Sequence, residues 1–548
     1  MRMKPDAKDV AYPSTMDSPG TIIAMPLNGD LELALHQLHR PFVMDRQTQA
    51  IISSSFPTTI NSGVYETTSS LAFCPACPIE QIGDITFWRD YGLKVNYVAG
   101  AMANGIASVE LVTSMAQNGM LAFFGSAGLT LEQVAKAVDQ LKAQLPTQTY
   151  GLNFIHSPNE PLFESKLADL YLQRQVRLVE ASAFMDLTLP IVRYRLHGIR
   201  QNTHGEIQTP NRVIAKVSRV EVARKFMSPA PEGLVRQLVQ TGDLTEEQAQ
   251  WAKLVPMAQD ITAEADSAGH TDNRPAVALL PTFMSLRDRI ETEMNYQLPL
   301  RIGAAGGIGT PTAAAAFFAM GAAYVVTGSI NQACIESGSS VMTRQLLSQA
   351  EQADCMMAPA ADMFEMGVKV QVLKRGTLFP MRANKLYELY RQYDSLESIP
   401  ASERQQLEKA VFRCSLAEVW QQTQRFFLER DPAQLDKAQR DPKHRMALVF
   451  RWYLGLSSHW ANSGQPDRQM DYQIWSGPAM GAFNEWAKGS FLERPENRRI
   501  VTVGLNIMYG AGVAMRIAFL RQQGVSLPRG VQRIRPRPLD EWAALLNQ

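Results

Sequence analysis

Two stretches of the chain admit nothing bulky. One is Gly303-Ala304-Ala305-Gly306-Gly307 and the other is Thr327-Gly328-Ser329, with an alanine-rich segment of helical character between them. Glycine lets backbone N–H groups approach an anion without a Cβ in the way. A helix N-terminus just beyond adds partial positive charge. Phosphate binding is the chemistry that such a pair of loops would do. Tight packing of helix on strand uses the same small residues, so one cluster alone leaves both readings open. No Walker lysine follows, and the spacing is not the GxGxxG dinucleotide fingerprint.

Other residues offer chemistry in a similar setting. Ala101 and Met102 close an apolar run, where small residues let a flat ring lie on backbone and a methionine packs softly on an aromatic face. Asn153 ends another run, as a ring-edge amide or a satisfied strand-end side chain. Lys216 lies in the run IAKVSR, to stabilise negative charge on a reduced cofactor or to snorkel to solvent. His270 follows a glycine in a polar loop, to donate a proton near neutral pH or to sit solvated. Cys74-Pro-Ala-Cys77 has redox or zinc spacing, but no second CxxC or His pair completes a zinc site. Two packed thiols in a loop is the expectation there.

These residues need elements to position them. From about residue 94, short apolar runs alternate with amphipathic helical stretches. The runs are 95–101, 121–127, 150–156, 178–183, 212–218, 260–266, 300–306 and 323–329. Helical periods cover 106–119, 130–145 with Thr130 as N-cap, and 310–321 with Pro311 in its first turn. Eight runs apolar on both faces, each followed by helix or a long insertion, predict a (β/α)8 TIM barrel over residues 91–355. An open doubly wound sheet is the alternative. In a barrel, the loops after strands seven and eight are neighbours, so both glycine clusters can hold one phosphate.

Residues 1–90 read as an N-terminal lead-in, with a short hairpin expected over 63–73. Residues 356–548 read as a mainly helical C-terminal region that could dock a carrier protein. The net charge of +1, 45% hydrophobic content and 20% charged content describe an ordinary soluble chain, with no field calling for nucleic acid or a membrane. The N-terminus lacks a signal-peptide core, and a cytoplasmic enzyme is expected.

The ordered segments AGAMANGIASVELV, GLNFIH, AEADSAGH, GAAGGIGTPTAAAAFFAMGA and VVTGS resemble the nitronate monooxygenase (2-nitropropane dioxygenase-like) flavoprotein superfamily. The segments at 362–390 and 470–486 are similar to its long branch, the trans-acting enoyl reductases that serve polyunsaturated fatty acid synthases and trans-acyltransferase polyketide synthases. The resemblance implies a TIM barrel with non-covalent FMN and NADPH as hydride donor. It implies reduction of an α,β-unsaturated thioester on an acyl carrier protein. It places Gly306, Gly307, Gly328 and Ser329 at the phosphate, and Ala101, Met102 and Asn153 at the flavin. His270 matches the histidine closing the family's Gly-Gly-His motif, although this chain reads Ala268-Gly269-His270. Lys216 is a candidate on its chemistry alone. Nitronate oxidation and a non-catalytic docking role are the competing functions. An acidic carrier would meet basic residues, and Lys369, Lys374, Arg375, Arg382 and Lys385 are the candidates, with Arg533, Arg535 and Arg537 behind them.

Overall fold

The eight apolar runs become eight parallel strands. They are β1 (Tyr97–Ala99), β2 (Leu121–Phe124), β3 (Gly151–Ile155), β4 (Leu178–Ser182), β5 (Arg212–Val217), β6 (Asp260–Glu264), β7 (Arg301–Ala305) and β8 (Val325–Thr327). The computed structural model describes residues 31–53, 71–158 and 160–547. Of the hairpin expected over 63–73, residues 63–70 lie outside the described residues. The rest falls in the strand Leu71–Cys74, which pairs antiparallel with Phe42–Asp45.

Pairing of β8 with β1 decides between barrel and open sheet. Val325, Val326 and Thr327 face Tyr97, Val98 and Ala99 in parallel register, which closes the ring. The strands are buried almost throughout because helices cover their outer faces. Local signals set the helix starts. Ser108 caps α1 (Val109–Gln117) by accepting from Leu111 N–H. Thr130 and Gln133 form a capping box at α2 (Leu131–Gln144). Thr310 caps α3 (Pro311–Ala319), whose first residue is proline. At the opposite end of the barrel, Arg301 binds Asp260 through Nε at 2.6 Å and Asp90 through Nη1 at 2.7 Å. Tyr91 adds its hydroxyl to Asp260 at 2.7 Å. This buried network plugs the barrel floor.

After β8 the chain builds a second unit. Past the short helices Ser329–Gln332 and Val341–Ser348, this mainly helical unit opens with a strand pair, Cys355–Pro359 and Lys369–Leu373, which run antiparallel. The two-residue strand Gly269–His270, from the loop after β6, joins the edge of this sheet. Helices α4 (Phe379–Gln392), α5 (Leu416–Arg430) and α6 (Pro442–Ser463) follow, around a core that includes Phe364, Phe379, Phe412, Phe450 and Tyr453.

The chain then returns to the barrel. Helix α7 (Ala479–Ala487) and α8 (Ile500–Gln522) share the barrel's core, so the two cores do not part at residue 356. α8 packs along α3 and also touches α1, filling the outer-ring position between them. By length and composition α8 could cross a membrane, but most of it is buried against the barrel. Within it, Arg516 donates to the carbonyls of Leu35, Gln37 and Arg40 and to Cys74 Sγ at 3.2 Å. Cys74 and Cys77 are free thiols whose pKa burial pushes up. No metal-holding group of His, Cys, Asp or Glu occurs among the described residues.

Candidate active site

The C-terminal mouth of the barrel opens into a cavity of about 1100 Å³, roofed by α5 and α6. All nine residues singled out in the sequence line it: Ala101, Met102, Asn153, Lys216, His270, Gly306, Gly307, Gly328 and Ser329. Asn153 lies in the middle of β3, not at the end of its run as expected, and Lys216 near the end of β5; the others follow the ends of β1, β6, β7 and β8, which only barrel closure makes neighbours.

The glycines differ in why they are glycine. Gly306 has φ +88°, and a Cβ there would lie 2.7 Å from the carbonyl carbon of Ala265, so packing against the end of β6 requires it. Gly307 also has positive φ, +74°, but its Cβ would meet nothing within 4 Å. At Gly328 φ is negative and a Cβ would again meet nothing within 4 Å among the described residues. Neither packing nor the sign of φ asks for glycine there, and the freed space belongs to the cavity. The Ser329 hydroxyl accepts from Gly477 N–H at 3.1 Å, which ties the β8 loop to the approach of α7. A Cβ on Gly309 would lie 2.1 Å from the Ala479 carbonyl oxygen. α7 thus covers the start of α3, and the cavity is reached through Gly306, Gly307 and Ile308.

Lys216 is not a free cation. Its ammonium sits 3.6 Å from Glu180 Oε2 and 3.5 Å from Glu264 Oε1. Burial alone would lower its pKa, but the two carboxylates override burial and raise it. Glu180 is fully buried and accepts from Ala101 N–H at 3.0 Å, while its Oε1 has no hydrogen-bond partner among the described residues. Burial pushes its carboxyl pKa up against the pull of Lys216. Ser267 Oγ donates to Glu264 Oε1 at 3.2 Å. Sequence reasoning does not single out Glu180 or Glu264 as site residues. The signal available for Glu180 is a charged residue inside the apolar run LVEASA.

Asn153 is also committed. Its Nδ2 donates to the Glu180 carbonyl at 3.1 Å and to Ser182 Oγ at 2.8 Å, so the amide N–H groups brace β4.

His270 is a third exposed, and its Nε2 lies 3.1 Å from Asp362 Oδ1. Burial alone would lower the imidazole pKa, but the Asp362 carboxylate outweighs it and the pKa is raised. Burial opposes the charge on Asp362 too, yet His270 holds its carboxyl below the ordinary range. Gln371 fixes the same loop, donating to Asp266 Oδ1 at 2.8 Å and to the Ser267 carbonyl at 2.7 Å. No local pattern marks Asp362 as a partner of His270.

The basic cluster does not form one open patch. Arg382 is tied to buried Asp471, which also takes Tyr453 Oη at 2.9 Å, so this arginine is structural. Arg375 pairs with Glu351 and Asp354, and Lys385 with Glu403. Lys369 and Lys374 stay exposed. In the tail, Arg537 pairs with Glu32 at 2.9 Å, while Arg533 and Arg535 are exposed.

Comparison with known proteins places this geometry. Residues 393–472 match the inserted helical domain of [acyl-carrier-protein] S-malonyltransferase. A polyunsaturated fatty acid synthase polypeptide of a Thraustochytrium species is 49% identical over 452 residues, which is 81% of this chain and 30% of that protein. The polyketide biosynthesis protein PksE of Bacillus subtilis is 45% identical over 437 residues, 80% of this chain and 57% of that protein. The chain thus spans only part of the length of these curated relatives. The crystal structure of the enoyl reductase domain of MlnA, from the macrolactin biosynthesis cluster of Bacillus amyloliquefaciens, is 40% identical with a TM-score of 0.77. That match covers 82% of this chain and all of the MlnA domain. At that identity over the whole of a solved domain, the chain belongs to the family of the MlnA enoyl reductase domain.

Proposed function

We propose that this chain is an FMN-dependent, NADPH-using enoyl reductase. Its substrate is an α,β-unsaturated thioester on an acyl carrier protein, in polyketide or polyunsaturated fatty acid biosynthesis. The observation that carries the reading is the open space at Gly307 and Gly328. Two consecutive strand ends keep backbone bare toward one cavity, and at Gly328 no packing demand explains it. The resemblance of the sequence segments to flavoproteins favours a flavin phosphate as the anion in this reading.

The residues present fit FMN. The loops at Gly306–Gly307 and Gly328–Ser329 would hold its phosphate, and Ala101 and Met102 would line its ring. When bound, FMN would supply hydride-transfer chemistry between NADPH and the β-carbon of the enoyl group. The chain's own residues do the rest. Negative charge develops on the thioester oxygen as the β-carbon is reduced, and donors aimed at that oxygen lower the barrier. His270 is the donor this reading assigns. Asp362 occupies Nε2, which leaves Nδ1 to meet the thioester oxygen or to protonate the α-carbon. Asp362 acts through His270 and is a positioning residue. Lys216 keeps Glu180 and Glu264 in place beneath the site.

The roof offers a reason for a carrier-bound substrate, since it leaves the mouth partly covered and its helices match a domain of an enzyme named for acyl carrier protein. The test is anaerobic. Protein, NADPH and a 2-enoyl carrier thioester should yield, by mass spectrometry, a product heavier by two hydrogens. No saturated product at any chain length, together with rapid oxygen consumption on a nitronate, would replace this reading with a nitronate oxidase.

A further inference from the structure

The cavity exceeds what one cofactor needs. Small-molecule sites occupy about 300–1000 Å³, and this one has about 1100 Å³. Its walls change character around the ring. The glycine loops follow β7 and β8. β3 is four strands from β7 in either direction round the closed barrel, so it lies directly across the mouth. On that far side polar residues such as Gln133, Glu160 and Gln422 line the cavity, and a set of large apolar side chains stands among them. Leu129 comes from the loop after β2 and Phe163 from the helix after β3, while Phe426, Phe427, Trp452 and Leu456 come from α5 and α6.

The rim of this side has a defined construction. Arg430, the last residue of α5, grips Glu160 with Nε at 2.7 Å and Nη2 at 2.8 Å. Its guanidinium lies 5.2 Å from the ring centre of Phe163 and 5.6 Å from that of Phe426. The ion pair therefore spends its polar edges on itself and clamps the roof to the barrel. Phe426 remains 53% exposed at this lip, while its neighbour Phe427 is buried. The two rings meet edge to face, 5.0 Å between centres. An exposed aromatic at the lip of a cavity, leading to buried apolar surface, marks where an apolar ligand would displace water.

We infer that this arm, between the loops after β2 and β3 and the roof helices, holds the hydrocarbon chain of the acyl group beyond the two carbons that react. Leu129 and Phe426 set the preference for chain length. The inference rests on the enoyl reductase reading for the identity of the ligand, and it takes a medium or long acyl chain as its occupant. Burying apolar carbon raises affinity by roughly fourfold per methylene. Extending a four-carbon enoyl group should therefore raise kcat/KM steeply until the arm is full.

The experiment uses the full-length holoprotein with 2-butenoyl and 2-dodecenoyl N-acetylcysteamine thioesters. Wild type should favour the dodecenoyl compound by at least tenfold in kcat/KM. Leu129→Trp, which fills the arm, should cut that ratio by at least tenfold. Phe426→Ala, at an exposed position that carries little folding risk, should cut it severalfold. Binding of the saturated dodecanoyl thioester, measured by calorimetry without turnover, should weaken in both variants. Chain-length-dependent binding in protein that reduces neither compound would sink the proposed reaction and still support the arm. Reduction without chain-length preference would overturn the arm. So would equal losses for both lengths, which would mean that this side holds the part common to both compounds.

Discussion

The Nε2 of His270 lies 3.1 Å from Oδ1 of Asp362, and this contact joins the loop after β6 to a loop of the second unit 92 residues later. The two units thus meet at the residue assigned the proton. A change in how the second unit sits would move the imidazole. His270 also belongs to the edge strand that pairs with Val370, so backbone and side chain are fixed by the same neighbour.

The pair makes a pH prediction. The folded pKa of His270 is raised above its ordinary value of about 6.5. Its contribution to stability is therefore complete below about pH 6.5 and fades as pH climbs through the folded pKa. Half of Asp362 is exposed, so that contribution is below about 1 kcal/mol. Asp362→Asn should lower the His270 pKa in an NMR titration and leave the fold intact. It should also shift the alkaline limb of the rate profile downward. An unchanged His270 titration would show that the pair does not form in solution.

Gly328 and Gly306 should respond differently to substitution. At Gly328 a side chain enters open space, so Gly328→Asp should fold with near-normal thermal stability and lose the yellow colour of bound flavin. At Gly306 a Cβ meets the Ala265 backbone in a left-handed conformation, so Gly306→Ala should cost about 1–3 kcal/mol in stability. Absorbance after desalting and thermal melts separate the two effects. Coloured Gly328→Asp protein with ordinary flavin affinity would move the phosphate elsewhere.

Lys216 stands between two carboxylates, one of them fully buried. Lys216→Met leaves Glu180 without its cation and should cost about 3–5 kcal/mol. Lys216→Met combined with Glu180→Gln should recover much of that loss, because the buried charge is then gone. Chemical denaturation of both variants checks this. A single variant as stable as wild type would mean that the cluster does not persist in solution.

Docking of an acidic carrier can be tested on the exposed cations alone. Lys369→Glu with Lys374→Glu should raise the KM for a carrier-bound substrate severalfold and leave a small thioester unaffected. The difference should shrink with salt, since screening acts over about 10 Å at 0.1 M. Arg382→Glu is a poor probe, because it would strand buried Asp471 and lower stability. Equal changes on both substrates would remove Lys369 and Lys374 from the docking surface.

Much of the frame is local, and local patterns are legible in sequence. Each barrel strand is an apolar run because both its faces are covered, and Thr130, Thr310 and Pro311 start their helices through contacts within one turn. Most of the nine residues singled out are visible for a related reason: small, polar or charged residues interrupt or close those runs. Tertiary structure decided the rest. Only closure of β8 on β1 turned eight runs into one mouth. Only the return of the chain put α8 into the outer ring. The residues that tune the site, Glu180 and Glu264 against Lys216, Asp362 against His270, and Arg430 against Glu160, are partners across tens to hundreds of positions. A lysine or histidine in a strand-end loop looks the same in sequence whether it is free or paired, because its charge state is set by groups that folding brings within about 4 Å. The same holds for Gly306 and Gly328. Both read as bare backbone, and only the packed neighbours separate the glycine that fits the protein from the glycine that leaves room for a ligand.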